Sequence, residues 1–236
     1  MTKMIPTTIN GKWDLLLPEH RANRPEWDIK NGGWEVERLD ALHDAIKPGM
    51  TIVEVGAEEG DITALLGQWV GKEGTVFMFE PNPKVIPNIK AIWEANKVPA
   101  NFYMSQCFAA DTTNVVVKWG EGFINHWPEC ANGEIIGDHG FMNLSERDDI
   151  PRVMLDQLPY QPDIINIDCE GSELRVLKGA ENQLKRGTTV FVSVHDAFMA
   201  QMYDEYAADL FKYMKDLGYK YELLAYDHEL HVRFYK

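Results

Sequence analysis

Thr51-Ile52-Val53-Glu54-Val55-Gly56-Ala57-Glu58-Glu59-Gly60-Asp61 passes from a β-branched apolar run into a glycine-bounded turn. Its first five residues read as a buried strand launched by the Pro48-Gly49 turn. After the turn, Ile62, Leu65, Leu66 and Trp69 share one helical face over Asp61–Val70, and Gly71 and Gly74 close that helix. A strand, a tight turn and a helix that head a regular alternation predict a parallel sheet with helices on both faces.

The alternation continues through most of the chain. A strand is expected at Thr75–Phe79, ending at Glu80. A helix follows over 83–96, where Val85, Ile86, Ile89, Ile92 and Trp93 recur at helical spacing and Pro87 falls in or near the first turn. Further strands are expected at 102–108, at 164–167 ending in Asp168, and at Thr189–Val194. Helices are expected at 172–185 and 203–217. The strands at 219–224 and 230–235 are separated by five residues, which suits a hairpin, so the last should run antiparallel at or beside the sheet edge. The sum is an α/β fold with a seven-stranded, mostly parallel sheet. Residues 118–145 break the pattern and read as a flap. Residues 1–47 read as an N-terminal cap with a lead helix at 34–46, and 48–236 as the main domain.

The chain has 236 residues, and 37 acidic against 23 basic side chains give a net charge of −14. That charge argues against nucleic acid or anionic membrane as a partner, because such binding draws on Lys and Arg. No apolar run is long enough to span a membrane, and the N-terminus lacks the order of a secretory signal. Three cysteines without C-x-x-C spacing indicate neither a disulfide framework nor structural zinc. A cytoplasmic location is the resulting expectation.

The turn after the first strand is an acid-x-Gly-x-x-x-Gly loop. It lacks the middle glycine of G-x-G-x-x-G, so a dinucleotide pyrophosphate is disfavoured and a nicotinamide-dependent oxidoreductase becomes a minor alternative. Glu58, Glu59 and Asp61 would repel a diphosphate, whereas a cationic nucleoside ligand suits them. Glu80 stands where open α/β sheets place an acid that accepts from a ribose diol, although it would also serve simply to cap the next helix. Asp111, just past the third strand, has the position to meet an adenine amino group; alone it would be a turn residue.

Three motifs occur in order and in spacing: Val53-Glu54-Val55-Gly56-Ala57-Glu58-Glu59-Gly60, Phe79-Glu80-Pro81-Asn82-Pro83, and Ile165-Asn166-Ile167-Asp168-Cys169-Glu170-Gly171-Ser172-Glu173 with Val176-Leu177-Lys178-Gly179-Ala180. Together the stretch resembles the FkbM-type methyltransferases. The resemblance implies a Rossmann-like class I methyltransferase fold and S-adenosylmethionine as cofactor. It further implies that Glu54, Gly56, Ala57 and Gly60 surround the methionine part, that Glu80 with Pro81 and Asn82 holds the ribose, and that Ala110 and Asp111 lie near the adenine. The chain departs from the family pattern at Glu58, where a small or amide residue is common, and at Ser193-Val194-His195, where Glu-x-His is usual.

Methyl transfer to a hydroxyl needs the acceptor held in line and benefits from a base or a metal ion. Asp168 and the pair His195-Asp196 end neighbouring strands, so these three are the expected catalytic residues. Asp168 and Asp196 are also the candidate ligands of a divalent cation, with His195 a further candidate and magnesium the natural ion for oxygen donors. Glu170 and Glu173 read as first-turn residues favoured by the helix dipole. His126, His139, His228 and His231 show no ligand-like spacing, and His228-x-x-His231 reads as hairpin decoration. Phe123, Trp127 and Phe141 in the flap have the chemistry to stack on a sugar. The expected activity is O-methylation of a small-molecule hydroxyl on a sugar, glycolipid precursor or natural product. A cofactor-binding module without methyl transfer is the alternative, and the oligomeric state is left open.

Overall fold

The computed structural model describes residues 3–115, 123–125, 151–226 and 229–236. The chain opens with a hairpin of β1 (Met4–Ile9) and β2 (Trp13–Pro18), then a single turn α1 (Glu19–Ala22), two 3-10 turns and α2 (Val36–Ala45). The alternating part follows: β3 (Thr51–Val55), α3 (Asp61–Val70), β4 (Thr75–Phe79), α4 (Ile86–Ala95), β5 (Asn101–Gln106), β6 (Phe108–Ala109), β7 (Phe123–Asn125), β8 (Arg152–Val153) and β9 (Ile164–Ile167). The rest is α5 (Glu173–Lys178), α6 (Glu181–Lys185), β10 (Thr189–Val194), α7 (Asp196–Tyr203), α8 (Ala207–Asp216), β11 (Lys220–Tyr226) and β12 (Leu230–Tyr235).

The main sheet has the order β11-β12-β10-β9-β3-β4-β5-β7. The strands from β10 to β7 are parallel, and β12 runs antiparallel between β10 and the edge strand β11. The seven expected strands are all present, with the last one antiparallel beside the edge. The eighth, β7, lies inside the stretch read as a flap; the rest of that flap is outside the described residues, as are Trp127, His126, Asp138, His139, Phe141 and His228.

Side chains alternate across the sheet, and each face has its own core. Val53, Val55, Phe77, Phe79, Ile165 and Ile167 pack against Leu174, Leu177, Leu184, Leu210 and Met214. Ile52, Val76, Ile164 and Phe191 pack on the other face against Leu65, Leu66, Ile92, Leu39 and Leu42, and the N-terminal Ile9, Leu15, Leu17 and Trp27 join this second core. The apolar run Leu15-Leu16-Leu17 is therefore a strand that covers the sheet's helices, which the sequence reading left unassigned within the cap.

Several expected boundaries shift for identifiable reasons. The helix expected over 172–185 breaks at Gly179, where an added Cβ would lie 1.9 Å from the Ala110 carbonyl oxygen. The strand expected over 102–108 ends at Gln106, and Phe108–Ala109 pairs with Arg152–Val153 in a separate two-stranded sheet. The helix expected from 203 begins at Ala207, because Asp196–Tyr203 forms a helix of its own. Among the described residues, no helix is long and apolar enough to cross a membrane.

Candidate active site

The chain builds β3, β4 and β5 outward in one direction, then returns to place β9 on the other side of β3. This reversal leaves a crevice at the carboxyl ends of β3 and β9, where doubly wound sheets bind ligands. The loops after those two strands touch there: an added Cβ on Gly56, at φ 81°, would sit 1.7 Å from the Asp168 carbonyl oxygen. Only glycine permits both that backbone angle and that approach. A cavity of about 1100 Å³ opens over the crevice, walled by loops from β3, β4, β9 and β10, by Trp34, Glu35 and Arg38, and by Glu229 and Leu230.

At one end of the cavity, Glu80 ties two loops together. Its Oε1 accepts the Asn82 N–H at 2.8 Å, and its Oε2 accepts the Glu58 N–H at 3.1 Å. Burial pushes its carboxyl up to about 7 against those bonds. With a further backbone bond from Ala57, three N–H groups hold the carboxyl and acceptor capacity for one ligand hydroxyl remains. Glu54, Ala57, Pro81 and Asn82 line the same space. Gly60 caps α3, and its N–H bonds the Ala57 carbonyl at 2.8 Å. Glu54 is buried, and desolvation raises its carboxyl to about 8 against a hydrogen bond from Thr63.

Three expected contacts are not made at this end. Gly60, Ala110 and Asp111 are not among the cavity walls, which are formed near the last two by Cys107, Phe108 and Ala109. Asp111 instead faces Arg175 at 3.5 Å, because the chain turns into β6 before reaching it. The loop acids are also not free to meet a cation. Arg21, buried behind the loop, donates from Nη1 and Nη2 to Glu58 at 2.8 and 2.9 Å and from Nε to Asp61 at 3.0 Å. His20 reaches Glu59 at 2.7 Å.

At the other end, Asp168 and His195 do converge, with additional residues that the sequence reading did not bring to the site. Asp168 Oδ2 accepts from Arg38 at 2.9 Å and from the Ser193 hydroxyl at 3.3 Å. Arg38 also donates to Glu35 and, from Nη2 at 2.9 Å, to Asn166. His195 Nδ1 lies 2.7 Å from Glu173, its Nε2 contacts Glu229, and Asp168 Oδ1 is 3.7 Å away. Burial works to lower the imidazole pKa, but the bonds to Glu173 and Glu229 and the charge of Asp168 raise it to about 11. Those acids favour the imidazolium form of His195, which donates from both nitrogens and has no lone pair left to take an acceptor's proton.

Glu173 lies in the first turn of α5, as expected, and is wholly buried; it takes the Gly171 N–H at 2.9 Å and holds the His195 ring from behind the cavity wall. His231 is likewise buried and lies 3.0 Å from the Ser193 hydroxyl, which overturns its reading as decoration. Strand register places Ser193 opposite His231, and so Glu229 beside His195. Burial raises the Cys107 and Cys169 thiols well above the ordinary range, which disfavours the reactive thiolate.

Asp196 does not join this cluster. It lies on the cavity wall at the exposed start of α7, and its carboxylate accepts the Ala207 N–H at 2.6 Å. The donor pair Asp168 and Asp196 therefore does not fit a resident divalent cation. Ligand atoms of Asp168, His195 and Glu229, and of Glu35, Glu229 and His231, lie within 4.8 Å of one another. The positive charge among them is already supplied by the Arg38 guanidinium and the His195 imidazolium, which a metal would have to displace.

A crevice at the switch point of a doubly wound sheet, an acid after the second strand and a closed glycine loop after the first define a class I methyltransferase architecture. A family model described as the methyltransferase FkbM domain matches residues 54–221, and the chain belongs to that family. It is 25% identical over 170 residues to the hexuronic acid methyltransferase AglP of Haloferax volcanii, a match covering 69% of this chain and 66% of that one. The solved structure of a methyltransferase FkbM from Methylobacillus flagellatus KT aligns with a TM-score of 0.52 at 18% identity, covering 83% of this chain and 50% of that chain. A putative rRNA-methylase from Clostridium thermocellum aligns with a TM-score of 0.51 at 14% identity, covering 84% and 97%. These two structural likenesses concern the fold. The chain spans less than two thirds of the length of AglP and half of the Methylobacillus protein. Glu35, Arg38, Glu229 and His231 all lie outside the matched region.

Proposed function

We propose that the chain is an S-adenosylmethionine-dependent methyltransferase that acts on a hydroxyl of a small molecule, with Asp168 as the base at the acceptor end. The observation that carries this is a single cavity with a nucleoside-type acid, Glu80, at one end and Asp168 at the other. S-adenosylmethionine, when bound, supplies the methyl group. The residues present fit it: Glu80 has acceptor capacity left for a ribose hydroxyl, and Glu54 lines the cavity as a carboxyl acceptor for an ammonium group.

Asp168 takes the proton that the acceptor hydroxyl loses as its oxygen gains the methyl group. Arg38 and Ser193 hold one oxygen of that carboxylate, and the other faces His195. Arg38 and His195 place positive charge where an oxygen becomes more negative on losing its proton. The walls at this end, including Trp34, Phe198 and Leu230, have the apolar surface to pack against a sugar ring or a comparable scaffold. A carbohydrate acceptor is also in keeping with the name of the Haloferax relative.

Calorimetric titration tests the cofactor assignment: S-adenosylhomocysteine should bind at micromolar strength and NAD should not bind. NAD binding without the homocysteine nucleoside would sink the reading. Asp168→Asn should leave that affinity within about threefold and remove most product formation across a panel of glycosides. Undiminished product would remove Asp168 as the base.

A further inference from the structure

We propose that Arg21 sets the charge of the cofactor loop and thereby its selectivity between cationic and neutral nucleoside ligands. The proposal rests on the cofactor reading above. Glu58 and Asp61 both line the cavity, whereas Arg21 stands behind them, buried and away from the ligand space. Its guanidinium grips Glu58 through two parallel bonds of 2.8 and 2.9 Å and Asp61 through Nε at 3.0 Å. A second guanidinium, Arg24, lies 3.7 Å from Glu58 and is held over the rings of Trp27 and Trp34.

The clamp is built from outside the family-matched region. Pro18 ends the N-terminal hairpin directly before α1, and the Trp27 indole fixes the Arg21 carbonyl at 2.5 Å. Glu58 is held in a left-handed backbone conformation at φ 48°, and its N–H completes the shell of Glu80. Arg21 therefore restrains the loop from behind while cancelling part of the negative potential that the loop projects into the cavity. With the clamp in place, a sulfonium cation meets two acids already paired. Without it, those acids would attract the cation and leave a neutral thioether unaffected.

The test compares the dissociation constants of S-adenosylmethionine and S-adenosylhomocysteine, measured by calorimetry on the full chain at low ionic strength. Arg21→Met should shift their ratio toward S-adenosylmethionine by about threefold, the size expected for one charge acting across roughly 10 Å in a partly aqueous cleft. Glu58→Gln, an exposed position that should fold normally, should shift the ratio the opposite way. Arg21→Lys should keep the parental ratio even if both affinities fall. The shifts should shrink in 0.5 M salt.

A loss of affinity that is equal for the two ligands, in both Arg21→Met and Glu58→Gln, would overturn the proposal and leave Arg21 a structural brace. If Arg21→Met does not fold, Glu58→Gln and Arg21→Lys still decide the matter. Failure of the parent chain to bind either nucleoside would instead defeat the cofactor reading on which the proposal rests.

Discussion

Replacing Arg38 by Met removes the only cation in contact with Glu35 among the described ion pairs and one of the two cations beside Asp168. The two acids differ in exposure, and that difference sets the magnitude. The Glu35 side chain is 3% exposed and that of Asp168 25%. Water therefore compensates Asp168 in part, and most of the penalty falls on Glu35. Breaking a buried ion pair from one side costs about 3–5 kcal/mol, because the remaining charge is stranded. Glu35 has a way out: burial already lifts its carboxyl to about 7 against the pull of Arg38, so without Arg38 it takes up a proton. The loss should therefore sit near the lower limit, about 3 kcal/mol, or roughly 10 °C in Tm for a chain of this size. It should be larger at pH 8 than at pH 5.5, where Glu35 is already protonated. Glu35→Gln added to Arg38→Met should recover most of it at pH 8, since a neutral amide needs no counter-charge. Thermal unfolding followed by circular dichroism at the two pH values measures all of this. An Arg38→Met chain melting within 2 °C of the parent at pH 8, or a double variant no better than the single, would refute the argument.

Two further outcomes follow from backbone contact and from titration. Gly56→Ala must push the Asp168 carbonyl away by about 1.3 Å to reach an allowed contact, and it carries a positive φ as well. A loss of about 3 kcal/mol is expected, with weakened S-adenosylhomocysteine binding; an unchanged melt would mean that the two loops do not touch as described. Stability should also fall as pH rises. Burial raises Glu35 and Glu80 to about 7 and Glu54 to about 8 from 4.5, and paired acids raise His195 to about 11 from 6.5. For each group the folded chain binds its proton more tightly than the unfolded chain. The carboxyl contributions are therefore complete below about pH 4.5 and lost through pH 7–8, and that of His195 is complete below about 6.5 and lost toward 11. The exposed Glu26 and Glu181, lowered by their own partners, are screened and do not reverse the sign. Tm should drop between pH 5 and pH 9, and a rise across that window would contradict the assignments.

The strands and the glycine loop were legible because their causes are local. Apolar residues recur at period two or three to four, and glycine marks where a side chain does not fit. What was misread follows from long-range packing. Asp111 was placed near a ligand by its position after a strand, but the chain changes sheet between Gln106 and Phe108. Asp196 shares a strand end with His195 and lines the same cavity, yet adjacent residues point in different directions, and its carboxylate holds the Ala207 amide rather than joining Asp168 and His195. His231 was dismissed for its spacing to His228, although the hairpin register already set it opposite Ser193.

The net charge of −14 is a property of the sequence alone, as is the placement of acids in the loop after β3 and at the end of β9. The apolar periodicities and the glycine turn determined the doubly wound sheet, and the acids marked the edge where a ligand was expected. Only the tertiary structure decided what the acids do there. Arg21 meets Asp61 across 40 residues and Arg38 meets Asp168 across 130, so the charges that neutralise the edge come from a segment no local pattern connects to it. Periodicity reports which face of an element is buried. It does not report which charge from elsewhere is buried against it, and at this site that second fact decides which acid remains free to act.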